Sequence, residues 1–312
     1  MARKLRLEFP GAIYHVINRG NYRAHVFKAE GAKQAFEACL FAACERSGWL
    51  LHAFVVMGNH YHLAVETPQG NLVAGMQWLQ STFANRFNKL RGERGHLFQG
   101  RYKGLLVEEG EALGMLCHYI HLNPVRAGLV PIERLREYRH SSYWYLGQPK
   151  LRPDFLRSDT ALSEAGTLAD TPAGWRTYAD YLTWQAAAGP AGKSKAYVSL
   201  SKGWALGTKD FKQTLLRDQA VAVDVRAWES DGVREIRQAQ WGQVLDRLRQ
   251  RVPAKESQDH RKSVPWKVQL AQQMKTSTDA SNGWLAEQLG MGSAAYLSKH
   301  IGLARQKVKG KA

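Results

Sequence analysis

Cysteine is scarce in this chain: there are three in 312 residues, and Cys39, Cys44 and Cys117 all fall inside apolar stretches of helical spacing. So few cannot build a disulfide framework or a four-cysteine zinc cluster, and three small buried side chains in a reducing cytoplasm are expected. Long apolar runs are missing as well. None approaches the roughly 20 residues that span a bilayer, and no apolar segment follows the basic start as it would in a secretory signal. A membrane partner is therefore not expected. Negative charge is the third shortage: 27 acidic residues stand against 44 lysines and arginines, a net charge of +17. A bias of that size points to a polyanionic partner, with nucleic acid first among them.

The positive charge is unevenly spread. Arg3, Lys4 and Arg6 precede the first apolar segment, and Arg19 and Arg23 follow it. Between Arg86 and Lys103 the bases Arg86, Lys89, Arg91, Arg94, Arg101 and Lys103 meet a single acid, Glu93. Such segments suit a phosphate backbone, and binding through them weakens steeply with salt. Tyr22, Phe98 and Tyr102 lie among these charges as candidates for stacking on unpaired bases, although core positions are the plainer reading for each.

Two short segments carry chemistry. In Gly58-Asn59-His60-Tyr61-His62-Leu63, two histidines sit two residues apart within a β-favouring run. In a strand, residues i and i+2 share a face, so His60 and His62 would stand side by side as neutral nitrogen ligands for one divalent ion. Some sixty residues on, Leu113, Leu116, Cys117 and Ile120 recur at helical spacing and form a buried stripe. Tyr119 falls at the edge of that stripe, where its ring packs and its hydroxyl reaches a cleft. Asn123 lies at i+4 on the same face. Pro124 disfavours helical geometry at the residue before it, so the helix is expected to end at Asn123.

Both segments resemble the HUH superfamily of single-strand DNA nucleases. Within it the match is to single-tyrosine insertion-sequence transposases, most closely the REP-associated tyrosine transposases. The resemblance runs from Met1 to about Gly147. It includes Phe9-Pro10-Gly11-Ala12-Ile13-Tyr14-His15-Val16, Gly95-His96-Leu97-Phe98-Gln99-Gly100-Arg101-Tyr102 and Tyr119-Ile120-His121-Leu122-Asn123-Pro124-Val125-Arg126. It implies Mg²⁺ or Mn²⁺ held by His60 and His62 with Asn123 as third ligand, and Tyr119 as a nucleophile that forms a 5′-phosphotyrosine. It implies hairpin DNA of the repetitive extragenic palindromic type as substrate, and an enzyme working at the bacterial nucleoid as a monomer or a homodimer. Because a free tyrosine has a pKa of about 10, its proton needs an acceptor: the metal, a bound water, His118 or His121. Arg139-His140 stand where the family usually has a small pair ending in Trp.

The order of elements in the first half is β-α-β-β-α-β followed by the tyrosine helix, the split βαβ or ferredoxin-like pattern. An α+β fold is therefore expected: an antiparallel sheet with helices over residues 1–147. The strands Leu50–Met57 and His60–Glu66 are expected to join through a primed turn at Gly58-Asn59, and Leu72, Met76, Leu79, Phe83, Phe87 and Leu90 to form one buried stripe. Residues 148–201 read as a linker with short helices. Residues 202–312 read as mainly helical, with a helix-turn-helix-like module over 266–303 broken at Gly290-Met291-Gly292.

The expected activity is metal-dependent, covalent cleavage and rejoining of single-stranded hairpins. The candidate DNA contacts are Arg3, Lys4, Arg6, Arg19, Arg23, Arg86, Arg91, Arg101, Lys103 and Arg126, with Lys299 on the last helix. The alternatives are a hairpin-binding protein or repressor with an idle site, another HUH nickase or replication initiator, and a hydrolytic nuclease that leaves no adduct.

Overall fold

The computed structural model describes residues 7–187, 200–201, 203–218, 230–253, 259 and 261–309. The chain divides into two units, Met1–Lys212 and Gln213–Ala312.

In the first unit, β1 (Ala12–Arg19) lies between its two antiparallel neighbours. With β2 (Leu50–Val56), β3 (His60–Thr67) and β4 (Lys103–Val107) it forms an antiparallel sheet in the order β2-β3-β1-β4, the ferredoxin-like arrangement. A fifth strand, β5 (Ala205–Leu206), extends the far edge parallel to β4, so the sheet is mixed rather than wholly antiparallel.

Alternation along β1 divides the unit into two layers. Asn18 pairs with Tyr61, whose ring packs on Phe27 and Phe36, and Phe36 in turn meets Phe83. That face is covered by α1 (Glu30–Ser47) and α2 (Leu72–Arg91). On the opposite face, Ile13, Ala53, Val55, Ala64 and Leu105 bury against Leu113, Leu116, Cys117 and Ile120 of α3 (Glu111–Arg126). All three cysteines are buried and unbridged.

Four local expectations give way to tertiary contacts. First, α3 does not stop at Asn123 but runs through Pro124 to Arg126. So close to its end the helix loses little more than one hydrogen bond to the proline, and Ala127 N–H still bonds the Asn123 carbonyl at 3.0 Å. Second, neither Gly58 nor Asn59 has a positive φ, so the turn is not primed. It is held from outside, the Gly58 carbonyl accepting from Phe27 N–H at 3.0 Å and the Asn59 carbonyl from Gly20 N–H at 2.8 Å. Third, the α2 stripe ends early, because Leu90 is 85% exposed. Fourth, residues 148–187 do not behave as a linker. After the short α4 (Ser142–Leu146), the helices α5 (Asp159–Glu164) and α6 (Pro172–Ala187) place Ala161, Leu162, Tyr178 and Leu182 in the same core as α3.

Those helices are also fastened by polar contacts. The Tyr178 hydroxyl meets His118 Nδ1 at 2.9 Å and His121 Nδ1 at 2.8 Å, and His121 Nε2 meets Ser142 Oγ at 2.8 Å. Arg139 and His140 bind the buried Glu37 carboxylate of α1 at 3.0 Å and 2.9 Å, and His140 also meets Glu30. These residues are structural ties between layers.

Beyond α7 (Lys209–Asp218), the second unit comprises α8 (Ser230–Arg249), α9 (Pro265–Ser277), α10 (Asn282–Gln288) and α11 (Ala294–Lys309). Leu245, Leu270, Ala271, Met274, Leu285 and Leu297 share its core. Ser281 caps α10 by accepting from Trp284 N–H at 3.3 Å. Gly290 and Gly292, with φ of 62° and 83°, make the break before α11.

Removing the Tyr178 hydroxyl leaves two buried imidazole nitrogens without their partner. Tyr178→Phe is expected to destabilise the first unit by about 1–3 kcal/mol, read from urea unfolding. An unchanged midpoint would show that α6 is not energetically part of this unit.

Candidate active site

The register of β1 on β3 sets Ile17 opposite His62 and Arg19 opposite His60. His60 and His62 therefore share the sheet face that α3 covers, as strand alternation requires, and their rings lie 5.0 Å apart. From α3 the half-buried Tyr119 comes down edge-on to His62, with ring centroids 5.5 Å apart. The strand pair and the helix thus meet at one point: the two histidines and the tyrosine form a single cluster.

A third histidine belongs to it. His15, on the same face of β1, stacks on His62 at 5.2 Å and lies edge-on to Tyr119 at 6.1 Å. His15 Nε2 is 2.9 Å from His62 Nδ1, and His15 Nδ1 is 2.7 Å from the carbonyl oxygen of Leu200. The next residue, Ser201, places its Oγ 3.3 Å from the Tyr119 hydroxyl. Leu200 and Ser201 had no signal of their own in the sequence. His15 sits inside a family-like segment, but its role becomes visible only when β1 is laid beside β3.

Burial decides the charge of these imidazoles. Desolvation, with the Arg19 charge adding to it, lowers the His60 pKa to about 4. Desolvation takes His62 well below its usual range, aided by His15, His60, Arg19 and Arg126. His15 falls to about 4, chiefly through burial, against the Leu200 carbonyl bond that favours its protonated form. Neutral imidazoles are the form that binds metal ions. His60 Nδ1 lies 2.7 Å from Asn59 Oδ1, while the other end of that carboxamide donates to the Arg23 carbonyl at 3.4 Å. A neutral His60 thus gives its proton to Asn59 from Nδ1 and keeps the lone pair on Nε2.

Asn123 is buried on α3, one turn beyond Tyr119, and its Nδ2 has no hydrogen-bond partner. The two ends of a carboxamide are exchangeable by a flip, and the flip would put an oxygen where the unsatisfied atom is. Among the described residues no three His, Cys, Asp or Glu side chains gather as a metal site. A three-ligand set built on His60 and His62 would therefore need a donor of another type, and the Asn123 carboxamide oxygen could supply one. Two imidazole nitrogens and one amide oxygen, with positions left open, form a donor set that could hold a divalent ion with room for a further ligand.

The candidate DNA contacts separate by position. The Arg126 guanidinium lies 4.9 Å from the centre of the Tyr119 ring. Lys103 pairs with Ile17 on the histidine face, and its charge acts on His15. With Arg19 these form a cationic rim around the cluster. Arg23 and Arg101 are exposed nearby in sequence to that rim, at the ends of β1 and β4. Arg86 and Arg91 belong to α2 on the other face, where Arg86 meets Cys39 Sγ at 3.5 Å and Arg91 pairs with Glu93 at 2.8 Å. Lys299 is exposed on α11 of the second unit. Arg3, Lys4 and Arg6 lie outside the described residues. Of the aromatic candidates, Phe98 and Tyr102 are buried, while Tyr22 is 92% exposed with a φ of 51°. His118 and His121 are not surface groups: both are buried, with their Nδ1 atoms turned to Tyr178.

Residues 9–123 match the family described as Transposase IS200 like. The match spans β1 to Asn123 and so contains both histidines and the tyrosine. No curated protein matches the chain significantly. Among solved structures, a REP-associated tyrosine transposase bound to a REP hairpin is similar at 17% identity and a TM-score of 0.39, covering 51% of this chain and 93% of that one. A candidate transposase from Deinococcus radiodurans R1 is similar at 23% identity and a TM-score of 0.28, covering 45% and 98%. No helix among the described residues is long and apolar enough to cross a membrane.

The buried histidines make stability depend on pH. His118 and His121 fall to about 4 and about 3 through burial, and an unfolded histidine titrates near 6.5. Between those values the unfolded chain binds more protons, so the contribution is complete above about pH 6.5 and is lost as pH falls toward 4. Each such histidine contributes up to about 1.4 kcal/mol per pH unit. Urea midpoints are expected to drop steadily from pH 7 to 4.5, and a flat profile would mean that these rings are charged in the fold.

Proposed function

We propose that the first unit is a metal-dependent, single-tyrosine DNA transesterase of the HUH type. It cleaves and rejoins single-stranded hairpins of REP type through a 5′-phosphotyrosine. The observation that carries this reading is the Tyr119 ring edge-on to His62 at 5.5 Å, with neutral imidazoles beneath it and the Arg126 guanidinium over it. His60, His62 and Asn123 would hold Mg²⁺ or Mn²⁺. When bound, the ion would polarise the scissile phosphate as a Lewis acid.

The Tyr119 oxygen attacks phosphorus as its hydroxyl proton passes to a water. The bond from phosphorus to the 3′ oxygen breaks, and that oxygen leaves with the electron pair and takes up a proton as a 3′-hydroxyl. The phosphodiester energy is kept in the tyrosine ester, so the strand is rejoined without ATP by the reverse attack. The contacts of His118 Nδ1 and His121 Nδ1 with the Tyr178 hydroxyl argue against these two as acceptors of the tyrosine proton. Ser201 Oγ, 3.3 Å away, orients the hydroxyl. Arg19, Lys103 and Arg126 surround the point of attack with positive charge that suits a phosphate backbone. In the second unit, α10 and α11 around the Gly290–Gly292 break would act as a helix-turn-helix-like DNA contact, with Lys299 exposed on its second helix.

The test is incubation of the full chain with end-labelled single-stranded REP-type hairpin and Mn²⁺, followed by a denaturing gel. The expected result is a protein–DNA adduct that vanishes in Tyr119→Phe and with chelator, while Tyr119→Phe keeps its hairpin affinity. Cleavage without an adduct would instead support a hydrolytic nuclease. Tight binding without cleavage across hairpins would make the protein a binder with an idle site.

A further inference from the structure

The stack of His15 on His62 explains more than packing. A backbone carbonyl oxygen only accepts hydrogen bonds. With Leu200 O at 2.7 Å, His15 Nδ1 must therefore carry the proton of that bond. In a neutral imidazole the other nitrogen is then an acceptor, so the 2.9 Å contact between His15 Nε2 and His62 Nδ1 requires the proton to sit on His62 Nδ1. The His62 lone pair is left on Nε2. The same logic, through Asn59, leaves the His60 lone pair on its Nε2. Two different backings thus give the two histidines the same tautomer. Both His15 and His62 are at least nine-tenths buried, so water does not compete for these bonds.

We propose that His15, anchored by the Leu200 carbonyl, is the positioning residue that fixes the tautomer and ring orientation of His62. Both of its ring nitrogens are engaged, with Leu200 and with His62, so its action is through His62. The acceptor for its outer proton comes from residue 200, well beyond the segment 9–123 that matches the IS200-like transposase family. Leu200 itself is buried in the core shared by α3 and α6. The backing of His62 therefore depends on chain outside the matched segment. The inference rests on the metal-binding reading above for its consequence, but the proton placement is testable without metal.

Two measurements on the full chain at pH 7 decide it. First, ¹⁵N-histidine labelling with two-bond ¹⁵N–¹H correlations reads which ring nitrogen of His62 is protonated in the metal-free protein. The expected answer is Nδ1, with His15→Phe shifting His62 toward a mixture of tautomers. Second, Mn²⁺ affinity is measured by electron paramagnetic resonance of the free ion. His15→Phe is expected to lower it by about 10–100-fold, the usual effect of losing such a backing group. His15→Gln, whose amide oxygen can accept from His62 in place of Nε2, is expected to recover affinity to within a few-fold of the wild type. A proton on His62 Nε2 in the wild type would overturn the proposal, and so would equal Mn²⁺ affinity in His15→Phe, His15→Gln and wild type. If the wild type binds no Mn²⁺ at all, the metal reading fails, while the tautomer measurement still decides the role of His15.

Discussion

The hydrogen-bonded register of β1 against β3 is the constraint on which the rest of the site depends. It places Ile17 opposite His62, Arg19 opposite His60 and, diagonally, His15 beside His62. The side-chain period of a strand is two, so a slip of one residue would send His15 to the Tyr61 face and set Tyr14 or Val16 under the tyrosine helix. That slip is opposed on both sides of the sheet. Ile13 is committed to the core under α3 and Tyr61 to the aromatic cluster under α1 and α2. Packing of apolar side chains, each contributing about 1.5–3 kcal/mol on full burial, thereby determines where three imidazoles stand.

The helix above completes the geometry. Leu116, Cys117 and Ile120 seat α3 on the sheet, and that seat delivers Tyr119 to the histidines. The covalent attack proposed for Tyr119 would demand such positioning, because attack at phosphorus is productive only from a narrow range of approach. The other side of α3 is secured by α5 and α6, with Tyr178 between His118 and His121. Burial of those two histidines keeps them neutral at the cost of acid stability. The same solvent exclusion keeps His60 and His62 neutral. One physical effect therefore serves both the structural and the candidate catalytic histidines.

Much of the site is legible in the residue pattern alone. Alternation over Leu51–Val65 places His60 and His62 on one face, and the spacing of Leu113, Leu116, Cys117 and Ile120 places Tyr119 at the edge of a buried stripe. Both are local, periodic properties, and the structure reproduces them. The order of elements is sufficient for the ferredoxin-like sheet, since strand order follows from short connections and right-handed crossovers. The turn at Gly58-Asn59, the exposure of Leu90 and the docking of residues 148–187 are not legible in the same way. The turn and the docked stretch are each decided by a partner distant in sequence: Phe27 and Gly20 for the turn, and α3 for the supposed linker. Prolines and small residues in that stretch signal breaks between helices, and say nothing of whether those helices find a core.

The division follows from the range of the forces involved. Residue type and periodicity act within a strand or a turn of helix, and they settle the histidine pair, the tyrosine helix and the excess of positive charge. The side chains that surround the pair are a different matter. His15 reaches His62 across 47 positions of sequence and Leu200 across 185. Whether an imidazole is neutral, and which of its nitrogens carries the proton, depends on burial and on a hydrogen-bond partner brought in by the packed chain. Chemistry of that kind belongs to the tertiary structure because desolvation and long-range hydrogen bonds exist only after the layers have closed.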